Sequence, residues 1–163
     1  MWLTEATKIQ RQALLAASLG WMLDSMDILL YSMVLAYLMR DLGMGEGIAG
    51  LMASLTLGAS ALGGVFFGIL ADRLGRCRAL MASILVYSIF TAACGLARNV
   101  VELALYRLFL GLGMGGEWAC GASLVAETWP SRHRNKALGV MQSSWAIGYG
   151  LAAVLTALIL PRF

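Results

Sequence analysis

Asp24, Asp27, Arg107 and Glu117 are ionisable residues set inside long apolar runs, where a charge costs about 2.5–3.5 kcal/mol on insertion scales. Residues so placed hold ion pairs, relay protons or contact charged cargo. Asp24 and Asp27 are three apart and share a helix face. At about 1.5 Å per residue from a start near Ala13, Asp24 stands roughly 16 Å deep and Asp27 roughly 21 Å. The run holding Arg107 travels the other way. Entered near Leu103, it puts Arg107 about 24 Å from the first boundary, level with Asp27, and Glu117 nearer the level of Asp24. If the two helices are neighbours, an acid–arginine pair lies above two acids. One chemistry that fits is a structural ion pair. The sharper one is proton coupling, in which a carboxyl alternates between a dry cavity and the field of an arginine. Asp24, Asp27 and Glu117 are the candidate coupling acids. Arg107 is placed to pair with Asp27 or with a substrate carboxylate, and Glu117 to contact substrate.

Gln142, Trp145 and Tyr149 are three and four apart, so a helix would give them one face able to line a cavity or to pack. A second kind of pattern stands between runs. Gly68 to Arg78 is a short turn bracketed by Gly68 and Gly75, with Asp72 followed by Arg73, Arg76 and Arg78. Asp72 at a helix C-terminus opposes the negative end of the dipole and calls for a cation, which the arginines can supply. Glu127 and Arg134 offer a second such pair.

The elements that must position these groups are five apolar segments, at about residues 13–39, 48–71, 79–97, 103–126 and 137–160, after an N-terminal segment of residues 1–12. Each approaches or exceeds the ~20 residues a helix needs to cross a ~30 Å hydrocarbon core. Backbone in a bilayer must satisfy its own hydrogen bonds, and the ~10-residue alternation of barrel strands is absent, so helices are expected. Lys8 and Arg11, the Arg73–Arg78 turn, and Arg132, Arg134 and Lys136 fall on one side, which the positive-inside rule makes cytoplasmic. The expected protein is an all-α polytopic membrane bundle, multi-pass, with a cytoplasmic N-terminus. Two glycine pairs four apart, Gly64/Gly68 and Gly111/Gly115, suit close helix crossing in lipid. Trp2, Tyr37 and Trp129 near the run ends read as interfacial anchors.

Composition agrees. Of 163 residues, 60% are hydrophobic and 13% charged, and the mean hydropathy is +0.78, whereas soluble domains run nearer half apolar and a quarter charged. The net charge of +3 sits in loops and not in a stripe interleaved with aromatics, which argues against nucleic acid. Three cysteines without metal-type spacing and a single histidine argue against a metal site, a cofactor or a catalytic triad, so an enzyme is not expected.

The turn Gly68-Ile69-Leu70-Ala71-Asp72-Arg73-Leu74-Gly75-Arg76 resembles the signature G-x-L-A-D-R-x-G-R of major facilitator superfamily transporters, with Cys77 where a lysine or arginine is usual. Leu103-x-x-x-Arg107-x-x-Leu110-Gly111-x-Gly113 is similar to the fourth-helix signature, and Glu127 to Arg134 to the E-x6-R spacing of the fourth loop. Asp24-Ser25-Met26-Asp27 resembles the D-G-x-D of aromatic-acid:proton symporters, with serine for glycine. Gly115-Gly116-Glu117-Trp118, Ala126-Glu127-Thr128 and Gln142-Ser143 look like the sialate and monocarboxylate branch. The resemblance implies a partial major facilitator fold, five of twelve helices, belonging to a longer carrier whose C-terminal half would be its partner. It implies proton-coupled symport of a small organic anion by alternating access across the bacterial inner membrane, without cofactor or metal. Gly68, Asp72, Arg73, Gly75, Arg76, Glu127 and Arg134 would then act in gating. A sugar porter, a drug:proton antiporter of the same superfamily and a non-transporting membrane scaffold remain alternatives.

Overall fold

The structure is a computed structural model that describes residues 6–159. Among the described residues every element is an α-helix: α1 (Lys8–Asp41), α2 (Glu46–Leu74), α3 (Arg76–Cys94), α4 (Val100–Thr128) and α5 (Ser131–Ile159). All five are long and apolar enough to cross a membrane. Leucine, isoleucine, valine and phenylalanine are exposed along the outer faces, as suits lipid and not water.

The helix ends differ from the apolar runs for a local reason. A hydropathy scan sees only the hydrocarbon-crossing part, whereas capped helices carry their hydrogen bonds on into polar sequence. The expected N-terminal segment is helical from Lys8, because Thr7 and Gln10 form a capping box. The Gln10 side chain also donates to the Thr128 carbonyl at 3.0 Å, tying α1 to the end of α4. Asn99 caps α4 by accepting from the Glu102 N–H at 2.8 Å, so that helix starts before Leu103. Pro130 stands ahead of α5, and its carbonyl accepts from His133 and Arg134 in a polar first turn. Between α2 and α3 a single residue, Gly75, makes the break at φ 93°, a value that side-chain-bearing residues rarely adopt.

α4 is the hub. It packs against α2, α3 and α1, while α1 packs against α5. Glycines allow these approaches. A Cβ on Gly111 would strike the Thr56 carbonyl of α2, one on Gly115 the Ser60 backbone, and one on Gly113 the Ser83 and Tyr87 backbone of α3. The reciprocal contact on α2 is made by Gly63 against Leu112 and by Gly64 against Gly115, whereas a Cβ on Gly68 would meet nothing within 4 Å. Gly68 is therefore no part of that crossing. Trp129 is another correction: it is 2% exposed, packed with Leu14, Val125 and Met141 inside the bundle's basic end, so it anchors the core and not the interface. Tyr37 is exposed near the far end of α1, and Trp2 lies outside the described residues.

Candidate functional site

The seam between α1 and α4 brings the four intramembrane charges together in two arrangements. The upper one is an ion pair. Arg107 Nη1 stands 3.3 Å from Asp27 Oδ2, with side chains 9% and 13% exposed. The guanidinium also lies 3.6 Å from the centre of the Tyr31 ring, a cation–π contact from the next turn of α1. The depth count on two antiparallel helices thus corresponds to a contact. Asp27, Tyr31, Thr91 and Arg107 line an open cavity of about 700 Å³ between α1, α3 and α4. Arg107 Nε is buried and has no hydrogen-bond partner among the described residues, so the guanidinium keeps a donor in reserve.

The lower arrangement has no cation. Asp24 and Glu117 are 0% and 2% exposed. Their carboxyls face each other across the seam, and no donor among the described residues reaches any of their four oxygens. Neighbouring polar groups are already engaged: Ser25 donates to the Met22 carbonyl at 2.8 Å and Tyr87 to the Leu23 carbonyl at 3.2 Å. Glu117 fits because residue 20 is glycine. A Cβ there would occupy the space of the Glu117 carboxyl.

Beside this seam, Trp145 of α5 packs on Trp21 of α1 with ring centroids 4.4 Å apart, and Tyr149 lies 6.1 Å beyond Trp145. Gln142, one turn back, is exposed. The face shared by Gln142, Trp145 and Tyr149 therefore contributes aromatics to the site, with the amide at its edge.

At the basic end Arg76, the first residue of α3, reaches Asp72 of α2 at 2.7 Å and Glu127 of α4 at 3.0 Å. Three helices meet on one guanidinium. The expected partner of Glu127, Arg134, is not within ion-pair distance; Arg76 takes that place because the single-residue break at Gly75 aims it at α4. Arg73 and Arg134 are exposed.

Tyr31, Gly20 and Trp21 are functional candidates that the sequence reading misses, and it takes Trp118 only as part of a family motif. Tyr31 follows Asp27 by four residues and Gly20 precedes Asp24 by four, so helical spacing from the acids is the signal that finds both.

A family model, the Major Facilitator Superfamily, matches residues 14–163. The chain belongs to the major facilitator superfamily. Among curated relatives of this superfamily it is 39% identical to a protein of Cupriavidus pinatubonensis named as a probable 4-methylmuconolactone transporter, over 98% of this chain and 37% of that one. It is 35% identical to the sialic acid transporter NanX of Escherichia coli, over 99% of this chain and 39% of that protein. It is 34% identical to the cis,cis-muconate transport protein of Acinetobacter baylyi, over 91% and 36%. The chain thus spans a little over a third of the length of the curated relatives it matches. The crystal structure of a bacterial homologue of the human lysosomal transporter Spinster, inward-facing and occupied, superposes with a TM-score of 0.83 at 24% identity, over 90% of this chain and 32% of that one. That likeness shows the major facilitator fold.

Proposed function

We propose that this segment serves a secondary active carrier that moves a small organic anion inward together with a proton. Asp24, Glu117 and Asp27 handle the proton, and Arg107 exchanges Asp27 for the substrate carboxylate. The carrier sits in the bacterial inner membrane with its N-terminus in the cytoplasm, on the side of the Arg73–Arg78 turn. The observation that carries this reading is the donorless Asp24–Glu117 pair. Two desolvated carboxylates in contact repel, and one proton held between them supplies the missing donor and lowers the seam's charge. The Asp27–Arg107 pair supports the anion half. An incoming carboxylate can satisfy the idle Arg107 donor in bidentate fashion while releasing Asp27. The relatives' names, which include acids such as sialic acid and muconate, support the substrate class. Asp72, Arg76 and Glu127 hold the cytoplasmic gate of the alternating-access cycle, with Gly68, Arg73, Gly75 and Arg134 shaping the same turns.

The test uses cells expressing the intact reading frame in lightly buffered medium. Pulses of benzoate-type acids, lactate, sialic acid and glucose are added in turn. Alkalinisation of the medium with an acid, lost in Asp27→Asn, is the expected result. No pH response to any pulse, from protein shown to be in the membrane, sinks proton symport of an organic acid.

A further inference from the structure

Three tryptophans converge inside the apolar span from three helices. Counted from the run boundaries near residues 13, 126 and 137, Trp21, Trp118 and Trp145 each lie about 12 Å inside it. Interfacial anchoring does not account for them, because aromatic belts sit at the two boundaries of the membrane. Ring centroids are 4.4 Å apart for Trp21–Trp145 and 6.1 Å for Trp21–Trp118. The three indoles border an open cleft of about 520 Å³, lined on the α2 side by Leu57, Ser60, Ala61, Gly64 and Val65. No residue lining this cleft carries a charge. Trp21 Nε1 is buried and has no partner among the described residues, a donor left over where ordinary packing would have satisfied it.

We propose that Trp21, Trp118 and Trp145 form a ring-recognition subsite that takes the flat, conjugated carbon skeleton of the substrate. This deepens the organic-anion reading above and rests on it for the acid group alone. Indole faces attract another π-face by offset or edge contact, which a puckered saturated ring cannot return. The cleft's lack of cations means that it reads the skeleton, leaving the carboxylate to a cation elsewhere. Sequence adjacency ties the subsite to the acid pair: Glu117 enters the seam while Trp118 borders the cleft, and Trp21 stands one turn from Asp24.

The experiment compares benzoate with cyclohexanecarboxylate, which match in size and charge and differ in planarity. In the intact carrier, half-saturation by benzoate is expected several-fold to about tenfold lower than by its saturated analogue. Trp145→Leu and Trp21→Leu bring that ratio towards one, and Trp145→Phe restores it. Tryptophan fluorescence of the purified intact carrier, quenched at lower concentration by benzoate than by cyclohexanecarboxylate, reads the same preference without transport. A ratio unmoved by both leucine variants, or equal quenching by the two acids, overturns the subsite. Ring-selective quenching with no acid alkalinising the medium leaves the subsite standing and removes the proton coupling instead. Alkalinisation by benzoate with an unmoved ratio does the reverse.

Discussion

Asp24 and Asp27 are one helical turn apart on α1 and meet opposite environments. Asp27 faces a guanidinium at 3.3 Å beside an open cavity. Asp24 faces another carboxyl in a seam closed to solvent. The upper site is neutral by pairing and can trade partners, because its arginine retains an idle donor. The lower site has no cation and no donor among the described residues. In the proposed carrier, the two functions that coupling must keep apart, anion recognition and proton loading, would fall on one helix a few ångströms from each other. The side chain opposite on α4, and not depth or helix identity, sets the surroundings of each acid.

The largest expected effect comes from unpairing the upper site. Arg107→Gln alone leaves Asp27 as an uncompensated buried charge, with a loss of about 3–5 kcal/mol in stability. Asp27→Asn strands Arg107 in the same way. The double variant Asp27→Asn/Arg107→Gln should recover most of that stability while remaining inactive in transport. Thermal unfolding of the four proteins in one detergent measures this; a double variant as unstable as the sum of the singles would break the ion-pair account.

The lower site predicts the contrary pattern. Glu117→Gln brings an N–H donor to Asp24, so it should insert and hold stability within about 1 kcal/mol, while flux ceases to follow the proton gradient. Uptake driven by an imposed pH step, compared with counterflow at constant pH, separates the two. A Glu117→Gln protein that still accumulates substrate on the pH step removes Glu117 from coupling. Sharpening this further, Gly20→Ala pushes a methyl group into the Glu117 carboxyl. Overpacking of this kind costs about 1–3 kcal/mol. The pair Gly20→Ala/Glu117→Ala should relieve it, as read by melting temperature; no relief would show that Gly20 serves something other than the acid.

The same contrast explains what the sequence discloses. Five spans and the level of Asp27 with Arg107 follow from hydropathy and helical rise, both of which act along one chain. Helix ends were less legible, since Thr7, Asn99 and Pro130 extend helices into polar sequence that hydropathy discards. Contacts across helices were least legible. Glu127 precedes Arg134 at the expected spacing yet binds Arg76, because Gly75 sets where α3 begins in space. The Gly64/Gly68 pair shows the same limit: only Gly64 meets α4, while Gly63, outside the pattern, makes the tighter crossing. Trp21 carries no mark in the sequence that separates it from an interfacial tryptophan until its neighbours Trp118 and Trp145 are known.

The smallest expected effect is at the basic end. Arg76 joins Asp72 and Glu127, whose side chains are 65% and 57% exposed. Water screens exposed ion pairs, so Arg76→Gln should barely shift the melting temperature. Its effect should appear in rate. The clamp fastens α2, α3 and α4 at the proposed cytoplasmic mouth, and loosening it changes how often that mouth opens, without touching the membrane-buried acids. Substrate affinity at equilibrium should stay within about twofold of wild type while turnover changes, and raising salt to 1 M, where the Debye length falls to about 3 Å, should mimic the substitution in the wild type. A matched loss of affinity and stability in Arg76→Gln would instead make the clamp a simple structural brace. The basic end would then differ from the α1–α4 seam in having no part in the transport cycle.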